Sequence, residues 1–353
     1  MEATRLKDRI FSLRHGLRPA VSGFDRLALD VFAFQYQRNE VYRTFCEALG
    51  RHPDNVMKLE QIPFLPVELF RRHRIVSFQG EAEAVFLSSG TTAGKPSGAA
   101  SPAGSPSVDQ EDDARSRHYV KDLDVYERSF SQGFRLFYGD PSAYCILALL
   151  PAYLEREGSS LVHMAASLIR QSGHPDSGFY LDERDRLAGL IQRLGGQGQR
   201  ILLLGVSFAL LDLAEAVPFR MQHTLVMETG GMKGRRREMV REELHGKLKD
   251  AFGLDAVHSE YGMTELLSQA WSDGGGVFRC PPWMRILIRD PNDPLTITDG
   301  RRTGGICVAD LANLYSCSFL ATQDLGRMTG DDGFEVLGRF DHSDVRGCNL
   351  LVG

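Results

Sequence analysis

Residues 86–96 read FLSSGTTAGKP. An apolar run ends there, and Ser88, Ser89, Gly90, Thr91 and Thr92 follow it ahead of Gly94 and Lys95. Backbone N–H groups and hydroxyls in such a turn can donate to phosphate oxygens, and the lysine adds a cation. The commonest phosphate loop is excluded at once, because it requires G-x-x-x-x-G-K followed by a hydroxyl. Here three residues separate Gly90 from Gly94, and Pro96 follows Lys95. The plainer alternative is a simple turn, since glycine, serine and threonine all favour one.

The chain around this loop alternates between two periods. EAVFL (83–87) reads as a strand that stops at the turn. Residues 97–116, SGAASPAGSPSVDQEDDARS, are small and proline-rich, then acidic. They hold too little apolar surface to order themselves, so a mobile surface loop is expected. Helical spacing follows near 120–138, 158–172, 183–194, 209–216 and 234–252, interleaved with the strands AYCILALL (143–150), RILLLGV (200–206) and TLVMETG (224–230). Short apolar strands separated by helices predict an α/β fold whose parallel or mixed sheet is covered by helices. From about 255 glycines and short strands dominate (ILIRD, GICVADL, GFEVLGR), which predicts a β-rich subdomain. The expected organisation is a helical region 1–60, an α/β core 61–254, a β-rich part 255–341 and a tail 342–353.

Bulk properties narrow the function. The sequence has 353 residues, 42% of them hydrophobic and 25% charged, as in ordinary globular proteins. Its 41 basic and 46 acidic residues give a formal charge of −5, which argues against a nucleic-acid partner. The densest basic cluster, Lys233 with Arg235, Arg236 and Arg237, reads as a solvated helix start or a local anion contact. Six scattered cysteines form no C-x-x-C pair, so a zinc site is not expected. The amphipathic start is not a secretory signal, and no apolar run is long enough for a membrane span, so a cytoplasmic location is expected.

Two later stretches can join the loop. HSEYGMTELL (258–267) carries Tyr261, Gly262, Thr264 and Glu265. Gly262 allows close backbone approach, Thr264 offers a hydroxyl to phosphate and Glu265 a hard oxygen to Mg²⁺. The bland alternative is a strand end capped by Thr264. TQDLGRM (322–328) and GFEVLGRFDHSDVRG (333–347) supply Asp324 as an acceptor for ribose hydroxyls and Arg339 as a donor. Gly230 and Gly231, at a strand end, can let adenine lie against the backbone or form a plain turn. Tyr261 can stack on adenine or pack under the sheet. His118 is expected to be exposed, and His163 to be a satisfied core histidine on a helix able to line an acyl pocket.

Taken in order, these motifs resemble the adenylate-forming superfamily of acyl-CoA synthetases, luciferases and adenylation domains. Ser88 to Pro96 is similar to its phosphate loop, Tyr261-Gly262-Met263-Thr264-Glu265 to its aromatic-Gly-x-Thr-Glu motif, and Thr322-Gln323-Asp324 to its Thr-Gly-Asp. Gly338-Arg339-Phe340-Asp341 resembles its hinge. Gln323 stands where that family has glycine. The family continues past the hinge into a lid domain bearing a catalytic lysine; here twelve residues follow Asp341, so the lid is expected to be missing. This short form, with IPFLPVELF (62–70), GSSLVHM (158–164), ETGGMKG (228–234) and RGCNLLVG at the end, resembles the LuxE-like acyl-protein synthetase branch.

The resemblance implies the cofactors ATP and Mg²⁺. It also implies activation of a fatty acid as acyl-AMP, passage of the acyl group to a cysteine near the C-terminus, and delivery to a partner such as an acyl reductase. Cys348 is the cysteine in the matching place. Its alternative is a small buried hydrophobe in CNLLV. Lys95 and Glu265 are the further catalytic candidates, Glu265 as the Mg²⁺ ligand. An acid–CoA ligase is the rival enzyme, and a non-catalytic docking subunit of a reductase is the rival of another class.

Overall fold

A computed structural model describes residues 2–14, 23–89, 115–151, 158–181, 183–230, 239–330 and 332–340. Three helices come first: α1 (Glu2–Ser12), α2 (Gly23–Arg38) and α3 (Glu40–Ala48). The two-residue strand β1 (Leu65–Pro66) precedes a 3-10 turn at Val67–Arg71, and β2 (Ala84–Leu87) and β3 (Arg117–Val120) follow. An alternating stretch comes next: α4 (Leu123–Tyr138), β4 (Cys145–Leu149), α5 (Ser160–Ser172), β5 (Gly178–Phe179), α6 (Arg184–Gly196), β6 (Ile201–Val206), α7 (Ser207–Ala216), β7 (Thr224–Thr229) and α8 (Arg241–Phe252). The rest is strands: β8 (His258–Tyr261), β9 (Ala270–Ser272), β10 (Val277–Arg279), β11 (Met284–Arg289), β12 (Gly304–Asp310), β13 (Phe319–Thr329) and β14 (Gly333–Arg339).

Twelve of these strands make one mixed sheet in the order β11-β12-β13-β14-β10-β9-β8-β7-β6-β4-β5, with β1 added beside β13. β5, β4, β6, β7 and β8 run parallel to their neighbours. The change of hand falls at β8, whose next neighbour β9 is antiparallel, as are the pairings from there to β11. Burial explains the parallel half. β4 (CILAL) and β6 (ILLLGV) are buried at every residue, so both faces must be apolar and no alternation survives. α4 packs on α5 and α5 on β4, while α7 packs on α8 and on β6 and β7. The predicted α/β sheet flanked by helices is what forms, and its ladder continues unbroken from β7 into the strands after 255.

Boundaries shift where local sequence outranks periodicity. The helix expected from 234 starts at Arg241, after Val240 in an extended conformation; residues 231–238, with the basic cluster, lie outside the described residues. The loop expected at 97–116 lies outside them as far as 114. No helix among the described residues is long and apolar enough to cross a membrane.

The N-terminal helices are tied to the antiparallel half through one side chain. Gln35 is fully buried, and its amide nitrogen donates to the carbonyls of Asn313 (3.0 Å) and Leu314 (2.9 Å) and to Ser318 Oγ (3.1 Å). Its oxygen accepts from the Ser318 backbone N–H at 2.9 Å. Phe32 and Tyr42 add ring contacts with Phe319. Gln35→Leu strands the Leu314 carbonyl and the Ser318 N–H in the interior, each costing about 1–3 kcal/mol when unmade, while the Asn313 carbonyl keeps the Ser316 N–H. Urea unfolding of this variant is expected to show a loss of about 2–4 kcal/mol, against about 0.5 kcal/mol or less for the exposed neighbour Gln37→Leu.

Candidate functional site

β2 and β3 form a separate antiparallel hairpin, with Leu87 opposite Arg117. One further rung closes it. The Ser88 N–H donates to the Ser116 carbonyl at 3.1 Å, and the Ser116 N–H donates to Ser88 Oγ at 2.9 Å. Ser88 and Ser116 therefore hold the two ends of the segment between them side by side. Gly90, Thr91, Thr92, Gly94 and Lys95 lie outside the described residues; Ser89 is the last described before them.

The Tyr261–Glu265 motif leaves the carboxyl end of β8, the last strand of the parallel half, and ligand crevices in α/β sheets open outside the carboxyl ends of the strands. Its backbone is held from several sides. Thr264 O accepts from His118 Nδ1 at 2.8 Å, and Glu265 O accepts from Asn313 Nδ2 at 2.8 Å. The N–H groups of Leu267 and Ser268 donate to Asp310 Oδ2 at 2.8 and 2.9 Å. An added Cβ at 262 would meet Glu260 Oε1, the far end of a side chain that would have to shift. Gly230 ends β7 at φ 69°, a left-handed conformation that favours glycine, and Gly231 lies outside the described residues.

Glu265 is 6% exposed. Burial raises its carboxyl pKa above the usual carboxylate range, opposed by a hydrogen bond with the Ser116 side chain and by the charges of Arg71 and Arg339. Ser116 thus links the loop entrance at Ser88 to the acid of the second motif. Arg339, whose charge acts on that acid, belongs to the third motif. Its Nε donates to Asp324 Oδ1 at 3.2 Å across the β13–β14 pair, while the Tyr261 hydroxyl donates to Asp324 Oδ2 at 2.8 Å. Burial first, and then Asp324, push the Tyr261 phenol far up, so it remains a donor. The Arg339 side chain is 64% exposed and Asp324's 9%, so the arginine opens the cluster to solvent.

Gln323, the departure from the family pattern, turns its amide to Glu68 Oε1 at 2.6 Å, and its carbonyl accepts from the Phe340 N–H at 2.9 Å. A side chain at this position is accommodated by that partner on the 3-10 turn. Tyr261 also contacts Phe278 and Phe334 edge-on.

A lone carboxylate tests the fit of a metal. Among the described residues no three His, Cys, Asp or Glu side chains gather as a metal cage. Mg²⁺ needs none, because it commonly takes one or two carboxylates and completes its shell with phosphate oxygens and water. Glu265, buried beside the loop entrance, fits that mode.

Cys348 lies outside the described residues, with the rest of the tail. Burial pushes the other thiols up, to about 11 for Cys145 and about 12 for Cys46 and Cys307, and still higher for Cys280 and Cys317. None of these five is a thiolate at neutral pH. His163 has the expected partner, its Nε2 3.1 Å from Glu127 Oε1, but it is half-buried and not in the core.

His118 corrects the sequence reading. It is 1% exposed, not at the surface. Strand alternation in R-H-Y-V, which places His118 on the face of Val120, carried the signal. Nothing in the sequence around Asn313, Asp310 or Ser116 marked them.

The family model described as acyl-protein synthetase, LuxE matches residues 20–131. Three long-chain-fatty-acid–luciferin-component ligases are similar. That of Vibrio harveyi is 24% identical over 349 residues, covering 93% of this chain and 86% of the relative. The Aliivibrio fischeri protein is 22% identical over 353 residues. That of Photorhabdus luminescens is 32% identical over 97 residues, covering 25% of this chain and 79% of the relative. Among solved structures, 2-hydroxyisobutyryl-CoA ligase in complex with 2-HIB-AMP and CoA matches with a TM-score of 0.59 at 14% identity, over 93% of this chain and 75% of that one. ATP-bound MatB from Rhodopseudomonas palustris matches with a TM-score of 0.51 at 18% identity, over 75% of this chain and about half (49%) of its own. These likenesses show a shared fold.

The raised carboxyl of Glu265 has a consequence for the unliganded protein. In the folded state it holds its proton more tightly than in the unfolded chain. Its contribution to stability is therefore fully present below the ordinary value of 4.5 and is lost as pH rises through the raised folded pKa. Glu265→Gln is expected to flatten this fall, so that thermal unfolding at pH 8 without nucleotide occurs at a higher temperature than in the wild type. A lower midpoint at pH 8 would show that burial does not dominate at this acid.

Proposed function

The chain belongs to the LuxE acyl-protein synthetase family, and on that premise we propose that it activates a long-chain fatty acid with ATP, in the cytoplasm, and passes the acyl group through Cys348 to an acceptor protein such as an acyl reductase. The observation that supports a nucleotide site here is the run from Ser88 through Ser116 to Glu265, with the Arg339 charge acting on Glu265 while its guanidinium bonds Asp324, which also accepts from Tyr261.

Each group has a task in this reading. Ser88, Ser89, Gly90, Thr91, Thr92, Gly94 and Thr264 donate to the phosphates, and Lys95 supplies charge. Asp324 and Arg339 hold the ribose, with Tyr261, Gly262, Gly230 and Gly231 beside the base. Glu265 holds Mg²⁺, which when bound offsets phosphate charge and lowers the barrier to displacement. The acid's carboxylate oxygen attacks the α-phosphorus, the bond to the bridging oxygen breaks, and pyrophosphate leaves with the electron pair. A carboxylate is a poor electrophile; its mixed anhydride with AMP is a good one. The Cys348 thiolate then attacks the acyl carbon, AMP leaves, and a thioester remains. The high pKa values of the five described thiols support a sixth, Cys348, for this step.

The substrate class is that of the Vibrio harveyi, Aliivibrio fischeri and Photorhabdus luminescens relatives, taken over from their name. Acid-dependent exchange of labelled pyrophosphate into ATP is expected from the isolated chain, strongest with long-chain acids. Cys348→Ser should keep the exchange and lose the acyl adduct seen by intact-protein mass spectrometry. Asp324→Ala, which removes a charge-assisted contact, is expected to raise the KM for ATP about 10–100-fold. Absence of exchange in the wild type would leave a docking subunit, and release of free acyl-CoA on adding CoA would make it an acid–CoA ligase.

A further inference from the structure

The turn that carries Thr264 and Glu265 is fixed by two side chains that no motif predicts. His118 and Asn313 are 1% and 0% exposed. They take the carbonyls of adjacent residues, His118 Nδ1 that of Thr264 and Asn313 Nδ2 that of Glu265, each at 2.8 Å. A carbonyl can only accept, so the Nδ1 of His118 must carry the proton in the first bond. Asn313 is fixed in its turn, because its amide nitrogen also donates to the Cys317 carbonyl at 2.9 Å. That leaves Asn313 Oδ1 facing His118 Nε2 at 3.0 Å, a pair that is a hydrogen bond only when Nε2 carries a proton as well as Nδ1. The two residues come from different parts of the chain. His118 is on the hairpin, two residues past Ser116; Asn313 follows β12 and is held by Gln35 of α2.

We propose that His118 and Asn313 are positioning residues that set the Thr264–Glu265 turn against the Ser88–Ser116 hairpin, so that the Glu265 carboxylate meets a nucleotide-bound Mg²⁺ without rearrangement. The inference rests on the nucleotide reading above. Two facts favour a positioning role over plain packing. The hydrogen bonds go to the backbone of the residues bearing the functional side chains, and the one from His118 arrives from the element that holds the loop entrance. Partners one shell behind a ligand commonly change metal affinity or activity 10–100-fold when removed.

Two variants separate this role from bulk. In His118→Asn the amide nitrogen falls near the position of Nδ1 and can still donate to Thr264. In His118→Gln the amide reaches toward Asn313 and leaves the Thr264 carbonyl unpaired. Hydrogen–deuterium exchange of peptides covering residues 262–268 in the unliganded protein reads the tether itself. For His118→Gln it is expected to quicken about tenfold there, with β2 and β3 unchanged, while His118→Asn stays within about twofold of the wild type. ATP binding followed by calorimetry across a Mg²⁺ series reads the consequence. The half-saturating Mg²⁺ concentration is expected to rise about tenfold in His118→Gln and to recover in His118→Asn.

Equal behaviour of the two variants, or faster exchange throughout the sheet, overturns the proposal. Should His118→Gln fail to fold, a tenfold loss in His118→Asn would overturn it as well. If the wild type binds no ATP at any Mg²⁺ concentration, the nucleotide reading fails; the exchange experiment still judges the tether.

Discussion

Asn313 has no exposed surface, yet its amide nitrogen donates to two carbonyls, and its own carbonyl accepts from Gln35. A buried backbone oxygen left without a donor is costly, so the chain has little freedom in where it puts these groups. Helix α2, the turn after β12 and the turn after β8 must meet at that amide. His118 adds the hairpin to the same junction. The relative placement of the parts of the proposed nucleotide site therefore follows from hydrogen-bond satisfaction in the interior, and the more exposed groups near it inherit a position already set.

Charge at this junction is arranged on the same principle. Asp310 is wholly buried and accepts from the N–H groups of Leu267, Ser268 and Ala312 as well as the Ser268 hydroxyl. Its work is structural. Asp324 shares its two oxygens between Tyr261 and Arg339. Burial outweighs the partners of both Glu265 and Asp310 and raises the pKa of each, but the acceptor sites of Asp310 are filled by backbone N–H groups of the fold, whereas Glu265 sits beside the loop entrance. An acid in that condition gains most from a cation arriving with a ligand, because the cation stabilises the charged form that burial disfavours.

How much of this could be read in the sequence depends on the range of the interaction. β4 and β6 are legible because a strand covered on both faces has to be apolar throughout, as CILAL and ILLLGV are. The motifs at 88–95, 261–265 and 322–324 are legible because glycine, hydroxyls and acids gather within a few residues, the local pattern that close approach to a ligand would demand. The two-residue strand Leu65–Pro66 is not, since only its pairing with Leu320 and Ala321 makes it a strand. Asn313 and Gln35 are invisible for a similar reason. Their partners lie hundreds of residues away or in irregular turns, and an asparagine before leucine and tyrosine states no preference. His118 could have been placed inward from alternation alone, but the acidic stretch before it suggested a wet surface.

The paired rung between Ser88 and Ser116 couples two motifs mechanically. The ladder that sets Leu87 opposite Arg117 ends on it, so the hydroxyl residue of the first motif and the serine that bonds the Glu265 side chain inherit one spacing. A change that frays the hairpin displaces both at once, although it touches neither.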